Sequence, residues 1–192
     1  MANRLGTDAD FAVGSDCNRK RVAAASADVA HQHCGAAVDE ALGQAFVKGI
    51  GQPRLDFASA LARIERFVGW GEGLTPAGDD YLVGLCAALQ SLVHGNAARR
   101  TFLRRMRGFV ASQSLRTTPI SAHWLTLASR GHFNADLLRV LDALRAERDV
   151  RNARDAIDAL MAVGATSGAD ALTGILSGFE AWMKAPSHQL MQ

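Results

Sequence analysis

The chain has 192 residues, of which 48% are hydrophobic and 21% are charged, and its mean hydropathy is +0.01. A chain of this size and composition is expected to form one soluble globular domain, which excludes a disordered tail protein and a collagen-like repeat. The formal net charge of +2 excludes a global field that would hold the chain on nucleic acid or on an anionic membrane.

Cysteine usage and the lack of long apolar runs indicate the compartment. The cysteines are odd in number and far apart, which fits neither a disulfide framework nor a zinc cluster: Cys17, Cys34 and Cys86. The longest nearly apolar run, residues 81–89, is far shorter than the ~18 residues that a membrane span needs. The N-terminus is acidic where a signal peptide would be apolar. The sequence therefore predicts a cytoplasmic protein without membrane contact.

The first part of the chain carries little periodic signal. Residues 1–20 have no sustained hydrophobic period, so an irregular lead-in is expected there, followed by a single helical domain over residues 21–192. His31 and His33 form a short H-x-H beside Cys34, which is one way to bind a metal ion. Residues two apart point to different faces of a helix, however, so this segment is a poor metal site. No function is assigned to the lead-in.

Alanine and leucine dominate the apolar residues, with 35 Ala and 21 Leu against 12 Val and 5 Ile, a balance that favours helices over strands. Apolar residues recur at steps of three and four, and breakers rich in glycine or proline separate these stripes. The predicted fold is all-α, a bundle-like domain of at least six helices with almost no sheet after residue 50. Helices are expected near residues 36–48, 56–68, 77–93, 97–111, 120–130, 134–146, 152–163 and 168–184.

The segment GWGEGLTPAGDDYLVG, residues 69–84, leads from glycines into an apolar helix. A glycine-rich entry into a helix can aim bare N–H groups at an anion. Simple capping is the alternative, with Thr75 as N-cap, Pro76 at the first helical position, and Asp79 and Asp80 complementing the helix dipole. The number of glycines and the two adjacent carboxylates exceed what a cap requires, so the functional interpretation is favoured.

The segment GATSGADALTG, residues 164–174, repeats the first in outline. With one gap, the residues that correspond are Gly73, Thr75, Gly78, Asp79 or Asp80, Leu82 and Gly84 in the first copy and Gly164, Thr166, Gly168, Asp170, Leu172 and Gly174 in the second. Two such turns facing each other would form one pocket that holds donors and acids together. The alternative for Ser167 and Asp170 is a plain capping box. We predict that the two turns meet.

A third segment, RTTPISAHW at residues 116–124, also begins a helix with hydroxyls and a proline. Arg116 offers a fixed fork of donors that suits a carboxylate or phosphate. His123 can serve as an acid or base near neutral pH, or it can simply pack beside Trp124.

The chain lacks G-x-S-x-G, a Walker loop and H-E-x-x-H, which argues against acyl-enzyme hydrolysis, P-loop chemistry and zinc proteolysis.

In order and spacing these three segments resemble the AllH-like family, which is associated with the oxamate carbamoyltransferase of allantoin catabolism. The matching motifs are G-x-G-L-T-P-x-G-D-D-Y-L-V-G at 71–84, T-x-P-I-S-x-x-W-L at 117–125 and G-x-T-S-G-x-D-x-L-x-G at 164–174. The resemblance covers the greater part of the chain. It implies a subunit that transfers a carbamoyl group between carbamoyl phosphate and oxamate, giving oxalurate and phosphate, or that catalyses the reverse phosphorolysis.

The resemblance also implies partners and site residues. The partners are the two small anions together with other carbamoyltransferase subunits or further copies of the chain. The residues placed in catalysis are Asp79, Asp80 and Asp170. The residues placed in substrate binding are Gly73, Thr75, Gly78, Arg116, Ser121, Thr166, Ser167 and Gly168.

Carboxylates beside anionic substrates need an explanation. They can take up a proton, accept hydrogen bonds from an amide nitrogen, or hold Mg²⁺ through oxygen ligands, and no cofactor is firmly assigned. Amide recognition or a weak metal site is favoured over direct nucleophilic attack. Two functions of other classes stay open: a non-catalytic helical scaffold subunit whose glycine turns seat a partner, and a binding protein for small acids or phosphate without turnover.

Overall fold

The computed structural model describes residues 57–93, 97–145 and 150–184, and these ranges form helices and turns without a strand. The seven α-helices of these ranges, named α1 to α7 in chain order, are Phe57–Phe67, Ala77–Ser91, Ala97–Gln113, Pro119–Ser129, Ala135–Arg145, Val150–Met161 and Ser167–Lys184. A short 3-10 helix, Ser114–Arg116, precedes α4. The all-α prediction is confirmed, and each of these helices begins and ends within two residues of its expected bound.

Some expectations concern residues that the structure does not describe. These are the lead-in at residues 1–20, the helix at 36–48 and the H-x-H segment at 31–33. The single domain over residues 21–192 therefore stays a prediction. Within the described ranges, no helix combines the length and the apolar character that crossing a membrane requires.

The helices α2 and α7 form the centre of the fold and make its most extensive helix–helix contact. Their backbones touch because glycine leaves room for them. A Cβ added at Gly84 would lie 1.9 Å from the carbonyl oxygen of Ala171, and one added at Gly174 would lie 2.0 Å from that of Tyr81. Any larger residue at either position must push the two helices apart.

The helices α2 and α7 run parallel. Thr75, just before α2, meets Ser167 at the start of α7. Towards the other end of both helices, a Cβ added at Gly178 would lie 2.7 Å from the Ala88 Cβ. The positive N-terminal ends of two helix dipoles therefore lie side by side at one end of the bundle.

The contact between α2 and α7 is reciprocal. Gly84 of α2 lies against Ala171 of α7, and Gly174 of α7 lies against Tyr81 of α2. The two glycines are 90 positions apart in the chain, and so are the two residues that they contact. An approximate two-fold axis that runs between the helices thus relates each residue of α2 to the residue 90 positions later in α7. On this correspondence the counterpart of Asp170 is Asp80.

The turns that precede α2 and α7 share this relationship. A Cβ at Gly78 would lie 2.0 Å from the Phe67 carbonyl oxygen at the end of α1, and one at Gly168 would lie 1.9 Å from the Leu160 carbonyl oxygen near the end of α6. Each glycine lets its helix begin directly against the preceding one. The repeat detected in the sequence is therefore a repeated helix–glycine turn–helix unit.

The remaining helices cover the central pair with apolar side chains. The Phe67 ring of α1 stacks on the Tyr81 ring of α2 at 4.6 Å between centroids. One buried cluster around α2 includes Ile64, Phe67, Tyr81, Leu85, Met106 and Leu125. A second cluster around α7 includes Leu137, Leu141, Leu160, Leu172, Ile175 and Phe179. This burial holds the two helix N-termini in a fixed relative position.

Candidate functional site

The two glycine-rich turns meet through their hydroxyl side chains. The Thr75 Oγ1 and Ser167 Oγ atoms lie 2.8 Å apart, a hydrogen-bond distance between residues that are 92 positions apart in the chain. This contact confirms the prediction that the turns face each other. It brings the N-termini of α2 and α7 together at one place.

The Thr75 hydroxyl does not cap α2, so the capping interpretation of that residue is wrong. The N-cap position of α2 is Pro76, and no side chain accepts a hydrogen bond there. Ser167 is the first residue of α7 rather than the residue before it. Both hydroxyls are instead used between the turns. A threonine before a proline reads as a cap from sequence alone, because nothing local reveals a partner 92 residues away.

Asp79 is an internal anchor of the site. It is 1% exposed, its Oδ1 accepts a hydrogen bond from the Gly69 N–H at 2.8 Å, and its Oδ2 accepts one from the Thr117 hydroxyl at 2.5 Å. Burial raises the pKa of this carboxyl, while hydrogen bonds from Thr117, the Gly69 amide and Ser121 oppose the rise. Asp79 therefore ties the glycine turn and the third sequence segment to the start of α2.

The third segment reaches the site through a second threonine. Thr118 caps α4, because its hydroxyl oxygen accepts a hydrogen bond from the Ser121 N–H at 3.2 Å. The same hydroxyl donates to the Leu74 carbonyl oxygen in the glycine turn at 2.5 Å. All three segments singled out in the sequence thus converge on the start of α2.

Asp80 and Asp170 are the carboxyls nearest to the junction between the turns. Burial raises the pKa of Asp80 to about 6; the charges of Asp170 and Asp79 act in the same direction, and hydrogen bonding with Ser167 and Thr75 opposes them. Burial likewise raises the pKa of Asp170 to about 6, and hydrogen bonding with Thr166 opposes it. Buried carboxyls of this kind concentrate at functional sites.

Three of the residues proposed for binding take different positions. The Arg116 guanidinium donates to the Glu65 carboxylate at 2.5 Å and to the Gln113 side-chain oxygen at 2.8 Å, and its side chain is 53% exposed. Gly73 and Gly78 contribute backbone. Gly73 lies on the exposed turn with φ of 92° and with no atom within 4 Å of an added Cβ, whereas Gly78 packs on α1.

Two further observations concern residues considered for metal binding and proton transfer. Within the described ranges, no three His, Cys, Asp or Glu side chains come together as a group that could hold a metal ion. His123 is exposed, and its ring meets the Trp124 ring edge to face at 5.6 Å between centroids. The packing alternative fits this histidine.

Sequence reasoning missed two participants, the Thr117 hydroxyl and the Gly69 N–H. Thr117 stands directly after Arg116 in the third segment, where the arginine is the more obvious ligand for an anion. The Gly69 amide carries no sequence signal beyond the glycine itself. Both groups are identified by the hydrogen bonds that they donate to the Asp79 carboxylate.

Replacing Thr117 with valine is expected to destabilise the chain by about 1–3 kcal/mol, because it leaves a buried Asp79 oxygen without its donor. Valine keeps the shape of threonine, so packing is conserved. Thr117→Ser, which keeps the hydroxyl, is the matched control and should lie close to wild type. Urea unfolding at pH 7 measures the difference. Equal loss in both variants would show that the methyl group, rather than the hydrogen bond, matters.

The electrostatics of the junction have two parts. The parallel N-termini of α2 and α7 favour a bound anion. The hydroxyls of Thr75, Thr166 and Ser167 lie at the same end, and either Thr75 or Ser167 uses its proton in the hydrogen bond between them. Asp80 and Asp170 repel an anion and can accept hydrogen bonds from N–H groups. A ligand that is anionic at one end and carries N–H donors at the other matches both parts.

Comparison with known proteins gives one match. The family model described as oxamate carbamoyltransferase subunit AllH matches residues 67–179, which is more than half of the chain and includes all three segments. No curated protein and no solved structure matches the chain.

Proposed function

The chain belongs to the AllH family of oxamate carbamoyltransferase subunits, and from this premise we propose that it binds carbamoyl phosphate and oxamate where the N-termini of α2 and α7 meet. The single observation that carries the proposal is the 2.8 Å contact between Thr75 and Ser167. It joins two turns that each bring a helix N-terminus, a hydroxyl and a buried carboxyl. A capping function alone would leave the two turns no reason to meet.

The reaction transfers the carbamoyl group from phosphate to the nitrogen of oxamate. The C–O bond to phosphate breaks, a C–N bond forms, and the proton that the oxamate nitrogen loses ends on the released phosphate. In the tetrahedral intermediate, negative charge develops on the oxygen of the carbamoyl group. Donors aimed at such an oxyanion are usually the largest single contribution to catalysis of this kind.

The described residues divide this work by their chemistry. Thr75, Thr166 and Ser167, together with the backbone N–H groups at the two helix starts, suit the phosphate and the oxyanion. Asp80 and Asp170 suit the nitrogen side of the substrates. Asp79 is a positioning residue, since both of its oxygens are taken by Gly69 and Thr117.

Other parts of the site have supporting tasks. Ser121 is buried beside Asp79, and Gly73, Gly78 and Gly168 shape the two turns. Arg116, whose guanidinium is held by Glu65 and Gln113, receives no part in binding here. The reducing cytoplasm is the compartment that the dispersed cysteines favour.

As a member of a family of subunits, the chain has other subunits as partners. Exposed apolar side chains flank the site: Leu74 at 70% exposure, Leu115 at 91%, and Ile120 and Trp124 on one face of α4. Such residues are expected where another protein binds. They also favour a second candidate function, in which the chain is a non-catalytic scaffold that seats the catalytic subunit.

Turnover of the reconstituted complex separates the two functions. If the site binds substrate, Asp80→Asn and Asp170→Asn should each reduce carbamoyl transfer about 100-fold, the usual scale for losing a positioned polar group. Asp155→Asn makes the same chemical change on an exposed position of α6 and should leave turnover unchanged. Wild-type turnover in both site variants, or equal turnover of a complex without this chain, would support the scaffold instead.

A further inference from the structure

Two buried oxygen atoms at the junction lack hydrogen-bond partners. Within the described part of the chain, Oδ2 of Asp80 and Oδ2 of Asp170 are shielded from solvent and accept no hydrogen bond. Asp170 as a whole is only 1% exposed. Buried polar atoms are paired in the great majority of cases, and each exception calls for a specific explanation. The two atoms therefore indicate a missing donor.

The two carboxyls that carry these unpaired oxygens are equivalent by the internal symmetry of the fold. Asp80 and Asp170 are 90 positions apart, as are Gly84 with Gly174 and Tyr81 with Ala171, whose backbone contacts are reciprocal. The approximate two-fold axis of a parallel helix pair runs between the helices and leaves the bundle at their N-termini. Asp80 and Asp170 consequently lie on opposite sides of this axis.

A ligand group on the axis must offer one donor to each side. The –NH₂ group of a primary amide has this shape, since its two N–H bonds are related by an axis along the C–N bond. An ionised phosphate or carboxylate oxygen cannot take the same place, because it has no proton to donate and would meet two acidic groups. Open space next to Gly73, where an added Cβ would contact nothing within 4 Å, borders this end of the bundle.

We propose that Asp80 and Asp170 together bind the –NH₂ group of a carbamoyl or other primary amide ligand, each carboxyl accepting one of its two N–H bonds. This inference rests on the proposed function. It assigns to the two residues the preference for a ligand that carries a primary amide. It orients the ligand as well, with nitrogen towards Asp80 and Asp170 and the anionic end towards the hydroxyls of Thr75, Thr166 and Ser167.

A site of this kind is expected to bind a ligand with an –NH₂ group more tightly than one with a –CH₃ group, although the two groups are nearly equal in size. Acetyl phosphate differs from carbamoyl phosphate, and pyruvate from oxamate, by this replacement alone. A methyl group would leave both buried oxygens unpaired, and sites built around hydrogen bonds reject such analogues strongly. The two ligand pairs also show which substrate the two carboxyls bind, since only that pair will be discriminated.

The experiment is a calorimetric titration of the assembled complex with each of the four ligands. Wild type should bind the amide member of one pair at least about 100-fold more tightly than its methyl analogue. Asp80→Ala and Asp170→Ala should each lower that ratio about tenfold or more, mainly by weakening the amide ligand. Asp80→Asn and Asp170→Asn, which keep the side-chain volume, repeat the test without a cavity, and Asp155→Ala should leave the ratio unchanged.

The outcomes separate the two proposals. Equal affinity of wild type for both members of both pairs would overturn the inference, and so would a ratio that stays constant in all four site variants. The proposed function would survive either result if turnover still depends on Asp80 and Asp170. Failure of all four ligands to bind, together with full turnover of a complex lacking this chain, would overturn the proposed function and the inference with it.

Discussion

Replacing Gly84 or Gly174 with alanine is expected to cost more than about 3 kcal/mol of folding free energy, the upper end for an overpacked core. The added Cβ would lie 1.9 Å from the Ala171 carbonyl oxygen in the first case and 2.0 Å from the Tyr81 carbonyl oxygen in the second. A backbone carbonyl inside a helix cannot turn away, so the strain can be relieved only by separating α2 from α7. Urea unfolding followed by circular dichroism measures this loss.

The matched control for these variants is Gly108→Ala. Gly108 lies within α3, where an added Cβ would meet nothing within 4 Å. Alanine is a better helix former than glycine by about 1 kcal/mol, so this variant should be slightly more stable than wild type. If Gly84→Ala and Gly174→Ala unfold at the same urea concentration as wild type, the close contact between the two helices is not present in the protein.

The second large effect concerns pH. We expect the stability of the chain to fall as pH rises from about 4 to about 6, owing to Asp80 and Asp170, whose pKa values are both raised by burial from 3.8 to about 6. In that window the unfolded chain has already released protons that the folded chain still holds, and stability decreases with pH when the folded state binds more protons. Asp79, whose pKa burial also raises, acts in the same direction.

Asparagine at either position isolates the contribution of each carboxyl. A pKa raised by about two units corresponds to a penalty of at most about 3 kcal/mol once the group is ionised, and solvent around the partly exposed Asp80 reduces it. Asp80→Asn and Asp170→Asn should therefore be more stable than wild type at pH 8 and nearly equal to it at pH 4. Thermal unfolding across this range measures the gain. A wild-type protein whose stability rises between pH 4 and 6, with no gain in the variants, would contradict buried carboxyls that are costly to ionise.

The stability of the Asp80 and Asp170 variants distinguishes a functional carboxyl from one that only caps a helix. A carboxyl that only caps a helix is replaced by asparagine at little cost and with little gain. Asp80 and Asp170 should instead gain stability and lose turnover when they are replaced. Residues that lower the stability of the folded state are expected at functional sites.

Much of the architecture could be predicted from the sequence, because it depends on local patterns. Apolar residues at three- and four-residue steps and glycine breakers mark all of the described helices. The match between residues 69–84 and 164–174 predicted that the turns meet, since equivalent segments tend to have equivalent surroundings. The sequence leaves open whether Asp79 or Asp80 corresponds to Asp170, and the reciprocal glycine contacts identify Asp80.

What could not be predicted depends on contacts between distant residues. Thr75 has the local appearance of a helix cap, yet its hydroxyl bonds to Ser167 across 92 residues. Arg116 has the appearance of an anion ligand, yet Glu65 on α1 holds it at 2.5 Å. The burial of Asp79 and its bond to Thr117 follow from how α4 packs beside α2, which no local pattern encodes.

The two halves of the junction are equivalent in outline but differ at several positions, one of which bears on the aspartates. The counterpart of Asp79, 90 positions later, is Ala169, so the link to Thr117 exists on one side only. A fully symmetric site would accept a small ligand in two orientations of equal energy, and only one of them would present the reacting carbon to its acceptor. The link through Asp79 makes the two faces of the site chemically different. Asp80 and Asp170 are thus similar carboxyls in unequal surroundings, and a ligand bound between them as proposed would have one preferred orientation.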